Sequence, residues 1–309
     1  MSILCAVDFS PPSSVALTSA GRIAATFAQP LTVLTVADPL LATAQRLHAG
    51  DDPLALLAQA LTDFVDDTLG AGAAAAHRNV VAIGDPSVEI LRAADTGGAQ
   101  LIVLGTQGAT GVSKVMCGSV AEQVLHAATR PVLVVPPAVA TGQMRTIGEL
   151  EEVLVPVDFH DHVLDDGRVA ARVARASHAT VRLLHVMPGD EGGRWTVLPT
   201  PIDLEVRDQP DQATSAQGKA LEALQRLADA LGLEPMPDLE VAQGLVSEEI
   251  AEVANRETVD LIVLGLHGGT GLFTVRVGTV AYQVLCSSPV PVLALPHETR
   301  GTQVLGFLG

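Results

Sequence analysis

Two stretches combine residue types and spacing that suit the binding of an anion. Gly105–Ser119 reads G-TQ-G-ATGVSKVMC-GS, and Gly265–Thr279 reads G-LH-G-GTGLFTVRV-GT. In both, two residues separate the first glycines and nine separate the second from the third. Each follows an apolar run, Leu101–Leu104 or Leu261–Leu264, and each precedes an amphipathic segment beginning Val120-Ala121 or Val280-Ala281. This predicts a strand, a glycine-rich loop and a helix, twice. Glycines let backbone N–H groups approach an anion with no Cβ in the way. The helix that follows adds unpaired N–H groups and the positive end of its dipole. The hydroxyls of Ser119 and Thr279 can each donate one more bond. Two loops of identical spacing in the same setting are a far more specific signal than one. The plain alternative is a tight turn that packs a helix on a sheet.

The elements needed to position such loops are legible in order. Ile3–Val7 is a short apolar run ending at Asp8, as a buried parallel strand requires. Ser10 can N-cap a helix with Pro11 in its first turn. Leu31–Val36 is the second strand, a helix is predicted from Pro53 to Leu69, and Asn79–Ile83 is the third strand. A short helix from Ser87 to Ala94, the strand Leu101–Leu104, the helix from Ser119 and the strand Val132–Val135 complete the unit. Alternating strands and helices mean a parallel sheet with helices on both faces. The plan then restarts: Val153–Val157 ends at Asp158, Val181–Val186 matches Leu31–Val36, and Val292–Leu295 matches Val132–Val135. The offset is 150 residues for the first two strands and 160 afterwards. The extra residues fall in the Gly/Pro/Asp-rich stretch Pro188–Gln212, ahead of a helix predicted over Ser215–Leu231. The expected division is a domain over 1–138, a linker over 139–149, a second domain over 150–297 and a tail over 298–309. With strand order 3-2-1-4-5, ligands sit beyond the strand ends where the winding reverses, between strands one and four. Those strands end at Asp8 and Gly105, and at Asp158 and Gly265. An acid there suits a ribose hydroxyl, an adenine amine or a bound Mg²⁺.

The chain has 309 residues, enough for two domains each with a core. Aromatics are only 3%, so the core must be built of Ala, Val and Leu. The net charge is -17 and the only lysines are Lys114 and Lys219, which argues against nucleic acid as a partner. The cysteines Cys5, Cys117 and Cys286 are odd in number and lack metal spacing; Cys5 reads as a small core residue. No signal peptide or membrane-spanning run is apparent, so a cytoplasmic location is the default expectation.

The pattern G-x2-G-x9-G-[S/T], the early strand ending in V-D and the run GSVAEQVLHAATRPVLVVP resemble the universal stress protein family, over nearly the whole chain and in tandem. The resemblance implies two Rossmann-like (adenine nucleotide alpha hydrolase-like) α/β domains, each a five-stranded parallel sheet of order 3-2-1-4-5. In nucleotide-binding members of the family, ATP lies over the ends of strands one and four. Carried over, Asp8 and Val36 meet the adenine, Gly105 lies near the ribose, and Gly108, Gly118, Ser119 and Val120 bind the phosphates. In the second copy these are Asp158 and Val186, then Gly265, then Gly268, Gly278, Thr279 and Val280. The implied ligand is ATP, with Mg²⁺, serving a regulatory or stress-response role. There are departures: Ala6 stands where the second copy has Pro156, Gln107 where it has His267, and Lys114 where it has Thr274, with Arg276 nearby. None removes the backbone cradle.

The Lys of a Walker loop is missing and no nucleophile–base pair accompanies the glycines, so at most weak Mg-dependent ATP hydrolysis is expected. The competing readings are a slow ATPase and an interaction protein with empty or differently liganded pockets. The fifth strands are apolar edges that seek partners, and each other's is the expected one, giving an internal pseudo-dimer; two chains can associate further. His160-Asp161-His162 resembles a metal clip but equally caps the next helix. His185 reads as a satisfied core histidine and Trp195 as an anchor for its own loop. The tail carries Val304, Leu305, Phe307 and Leu308, which suit either a partner or its own core.

Overall fold

In the computed structural model the described residues are 2–39, 52–106, 118–136, 145–159, 163–188, 216–256, 258–266, 279–296 and 305–308. The first half runs β1 (Ser2–Ala6), α1 (Pro11–Thr26), β2 (Leu31–Ala37), α2 (Pro53–Leu69), α3 (Ala73–Ala76), β3 (Arg78–Ile83), α4 (Pro86–Thr96), β4 (Ala99–Gly105), α5 (Ser119–Ala127) and β5 (Val132–Val135). The second half repeats it: β6 (Glu152–Pro156), α6 (Val163–Ser177), β7 (Thr180–Pro188), α7 (Ala216–Leu231), β8 (Asp238–Gly244), α8 (Val246–Ala254), β9 (Val259–Gly265), α9 (Thr279–Ser287) and β10 (Val292–Leu295). The local signals act as read. The Ser10 hydroxyl caps α1 by accepting from the Ser13 amide, with proline at the first helical positions. Asp52 and Asp85 cap α2 and α4 in the same way.

The strands form one ten-stranded sheet of order β3-β2-β1-β4-β5-β10-β9-β6-β7-β8. Each half is parallel with order 3-2-1-4-5, and the join is antiparallel, with Leu293 opposite Leu133. The joined strands are buried at every position, which an unpaired apolar edge in water could not be. The outer strands β3 and β8 are only partly covered.

Strand residues alternate between two cores. One face packs Ile3, Cys5, Val33, Val103 and their second-half counterparts under α1, α2, α6 and α7. The other packs Leu4, Leu34, Ile102, Leu154, Leu184 and Ile262 under α4, α5, α8 and α9. Burial on both faces explains why the inner strands are continuous apolar runs rather than alternating ones. Burial also pushes the Cys5 thiol far above its ordinary range, which makes it an inert packing group.

The end of the expected linker is part of this core. Ile147 is buried, the Gly148 amide donates to Ser177 Oγ at 2.8 Å, and Arg22 pairs with Glu149 at 2.5 Å. The tail also turns inward. Leu305 is buried, its carbonyl accepts from Arg172 at 2.8 Å, and Phe307 lies 5.5 Å from Phe27, the residue just after α1, ring centre to ring centre. A tail residue attached to the second half thus packs on the first.

Candidate functional site

β1 and β4 are hydrogen-bonded neighbours, with Cys5 opposite Val103. Continued by two residues, that register sets Val7 level with Gly105, so Asp8 stands one residue beyond the end of β4. β2 lies on one side of β1 and β5 on the other side of β4, and the winding reverses between them. Of the expected residues, the fold brings Asp8, Val36, Gly105, Gly118, Ser119 and Val120 to this end of the sheet. Val36 and Val120 pack against the same core cluster, the one under α4 and α5. β6 and β9 repeat the arrangement, with Leu154 opposite Ile262, so Asp158, Val186, Gly265, Thr279 and Val280 gather likewise. Gly108, Gly268 and Gly278 lie outside the described residues, as do Gln107, Lys114, Cys117, His160, Asp161, His162, Trp195, His267, Thr274 and Arg276.

Asp8 is exposed and shaped by the turn that follows it. The amide and hydroxyl of Ser10 both donate to Asp8 Oδ1, at 3.1 and 2.5 Å. Between them Phe9 takes a left-handed backbone, φ 64°, and after Asp158 the equivalent Phe159 does the same, φ 58°. Side chains other than glycine rarely adopt this conformation, and where they do it commonly marks a site. Both aromatics are held in place. Phe9 meets Phe64 of α2 edge to face at 5.4 Å. Phe159 lies 4.7 Å from the ring of His185, whose Nδ1–H donates to the Val157 carbonyl at 2.8 Å. His185 is therefore a satisfied histidine supporting the turn. The sequence sets Phe after the aligned acid in both copies, but nothing in a phenylalanine's type announces a left-handed backbone.

The glycines serve different purposes. A Cβ on Gly105 would stand 3.2 Å from the carbonyl carbon and the Cβ of Pro12, so this glycine lets the first turn of α1 pack against the end of β4. The Gly118 amide donates to the Thr106 carbonyl at 2.5 Å, closing the loop on itself. The first helical bond of α5 runs from the Glu122 amide to the Gly118 carbonyl. The amides of Ser119, Val120 and Ala121 thus lack helical acceptors. No described side chain caps this N-terminus. An uncapped helix start beside an exposed Ser119 can receive an anion. Among the described residues no group of three or more His, Cys, Asp or Glu could hold a metal ion. No described helix is long and apolar enough to cross a membrane.

The model of the universal stress protein family matches residues 1–136 and 149–296. A universal stress protein of Methanocaldococcus jannaschii is 26% identical over 158 residues, 48% of this chain and 84% of its own length. A universal stress protein A homolog of Coxiella burnetii is 30% identical over 148 residues, 47% of this chain and 95% of its own. The match to a Mycobacterium tuberculosis universal stress protein, 28% identical, spans 63% of this chain and 61% of that protein. The fold as a whole is similar to the crystal structure of a universal stress protein from Archaeoglobus fulgidus, with TM-score 0.62 and 20% identity over 96% of this chain and 98% of that one.

Proposed function

Because the chain belongs to the universal stress protein family in both of its halves, we propose that it is a regulatory adenine-nucleotide-binding protein, with ATP as the ligand of each repeat. One observation carries this reading. In both repeats an exposed acid, Asp8 or Asp158, stands beyond the end of the first strand beside the last glycine of the fourth, where the winding reverses. This is where an open parallel sheet receives a ligand. In the first repeat the uncapped start of α5 adds phosphate donors at the same place.

In this reading Asp8 and Val36 hold the adenine and Gly105 borders the ribose. The amides of Ser119 and Val120, with the Ser119 hydroxyl, hold phosphate oxygens, and Gly108 and Gly118 allow their close approach. Asp158, Val186, Gly265, Gly268, Gly278, Thr279 and Val280 have the same roles in the second repeat. Mg²⁺ accompanies the phosphates. The exposed acid, hydroxyl and open amides are a donor set that fits a nucleotide, and they supply binding rather than bond cleavage. The repeats, divided as domains over 1–138 and 150–297, act as an internal pseudo-dimer through the β5–β10 join.

The test is nucleotide content. Freshly purified protein is denatured and the released adenine nucleotide per chain is quantified by chromatography. Close to two equivalents are expected, falling by about one in each of Asp8→Ala and Asp158→Ala. No nucleotide, and no binding on adding Mg·ATP, would sink the reading.

A further inference from the structure

At the opposite end of the first repeat's strands, on the face under α4, lies a cavity of about 320 Å³. Its polar lining is Ser2 of β1, Thr32 of β2, Arg78 of β3, and Glu89, Arg92 and Thr96 of α4. Leu4, Leu34 and Val80 give it an apolar floor. This volume is at the lower end of the range of small-molecule sites.

The second repeat shows what normally fills this place. Strand register aligns the two copies residue by residue: Thr32 pairs with Arg78, and Arg182 with Asp238. Leu34 pairs with Val80, and Leu184 with Glu240. Where the first repeat has Thr32 and Thr96, the second has Arg182 and Arg256. Where the first has Ser2, Arg78, Val80 and Arg92, the second has Glu152, Asp238, Glu240 and Glu252. The second repeat therefore fills the space itself. Arg182 pairs with Glu152, and it reaches Glu240 and Asp238 at 3.0 Å each. Arg256 adds a two-pronged contact to Glu240, both arms 2.7 Å.

The first repeat inverts this pattern. Its two filling arginines are threonines, which leaves the space open. Two of the four surrounding positions are reversed to arginine and none is acidic. Glu89, the one acid of the lining, is paired with Arg92. Arg78 is exposed and pairs with no carboxylate among the described residues. The carbonyls at the end of α4 are already bonded, Gly97 by the Ser2 hydroxyl at 3.1 Å and Arg92 by the Thr96 hydroxyl at 2.8 Å. They offset the arginines less than open helix-end carbonyls would.

We propose that this cavity is a binding site for a small organic anion, an anionic oxygen head held by Arg78 and Arg92 with a short apolar body over Leu34 and Val80. The site belongs to the first repeat alone. It is separated from the proposed nucleotide site by the length of the strands, so the protein can carry both ligands at once.

The test titrates the full chain, labelled for amide NMR, with sodium hexanoate, and with hexanol and hexylammonium as neutral and cationic counterparts of the same body. Hexanoate is expected to give saturable shifts of the Thr32, Arg78 and Gly97 amides with a Kd of about 1 mM or tighter. Arg78→Ser should weaken it about tenfold or more, since a charge-assisted bond is lost. Thr32→Arg with Val80→Glu, which imports the second repeat's own pair, should abolish the shifts while the far-UV circular dichroism stays unchanged. If that double variant fails to fold, Arg78→Ser decides. The proposal is overturned if no pocket amide moves at about 10 mM hexanoate. It is equally overturned if hexanol or hexylammonium binds as well, or if Arg78→Ser binds like the unaltered protein.

Discussion

Replacing Arg182 with methionine keeps most of the side chain's length and removes its charge, at the centre of the second repeat's ionic cluster. The Arg182 side chain is 17% exposed and that of Glu152 only 6%, whereas Asp238 is 64% exposed. Losing the guanidinium therefore matters unequally to its three partners. Asp238 returns to water, and Glu240 keeps both bonds from Arg256. Glu152 is left as a buried carboxylate without its cation. Breaking a buried pair on one side costs about 3 kcal/mol or somewhat more. At about 2–4 °C per kcal/mol the melting temperature should fall by about 6–12 °C. Glu152→Leu in the same background removes the stranded charge. The double variant should return to within about 1 kcal/mol of the starting protein, because apolar residues of similar volume replace buried ion pairs with little loss. The first repeat supports this, since the same end of the sheet folds there with Ser2 and Thr32. Urea unfolding followed by far-UV circular dichroism measures all four corners of the cycle. If Arg182→Met costs less than about 1 kcal/mol, or if the two single costs simply add, Glu152 does not depend on Arg182 and the reasoning fails.

Gly105→Ala should destabilise the protein by about 1–2 kcal/mol with or without ATP, because its Cβ meets the backbone of Pro12; a loss confined to nucleotide affinity in an equally stable protein would show that the glycine serves the ligand alone. Acid should weaken the fold in a defined direction. The Glu240 carboxyl is held below its ordinary range, first by the Arg256 hydrogen bonds, and Asp85 is held low first by the Ser87 hydroxyl. A carboxylate whose pKa is lowered by folding contributes stability above its unfolded value of about 4, and that contribution is lost as pH falls through the folded value. Urea midpoints should therefore drop between about pH 5 and pH 3, and less steeply in Glu240→Gln; an equal slope in both proteins would contradict it.

The sequence by itself determined the strand order along the chain and the repeat, and it pointed to one end of the sheet for a ligand. Those follow from local chemistry: continuous apolar runs for strands buried on both faces, Ser10 as a helix cap, and glycines at strand ends. They are periodic or positional signals, readable one segment at a time. What only the tertiary structure decided depends on which residues meet across segments. Gly105 stood out in the sequence as a ligand glycine, and the fold adds a packing reason for it, since a Cβ there would meet Pro12, 93 positions earlier in the chain. Gly118 looked like a phosphate donor, and its amide closes the loop on Thr106. Glu152, Arg182, Asp238 and Glu240 lie near the starts of three strands, and only strand register stacks them into one cluster, where the first repeat, with Thr32 in place of Arg182, has a cavity. The tail's apolar residues suited a partner or the core equally well. The choice fell to the core because Arg172, on a helix of the second repeat, and Phe27, just after α1 of the first, stand together to receive it. Hydrophobic and capping patterns specify elements; the pairing of distant side chains exists only once the strands have taken their places.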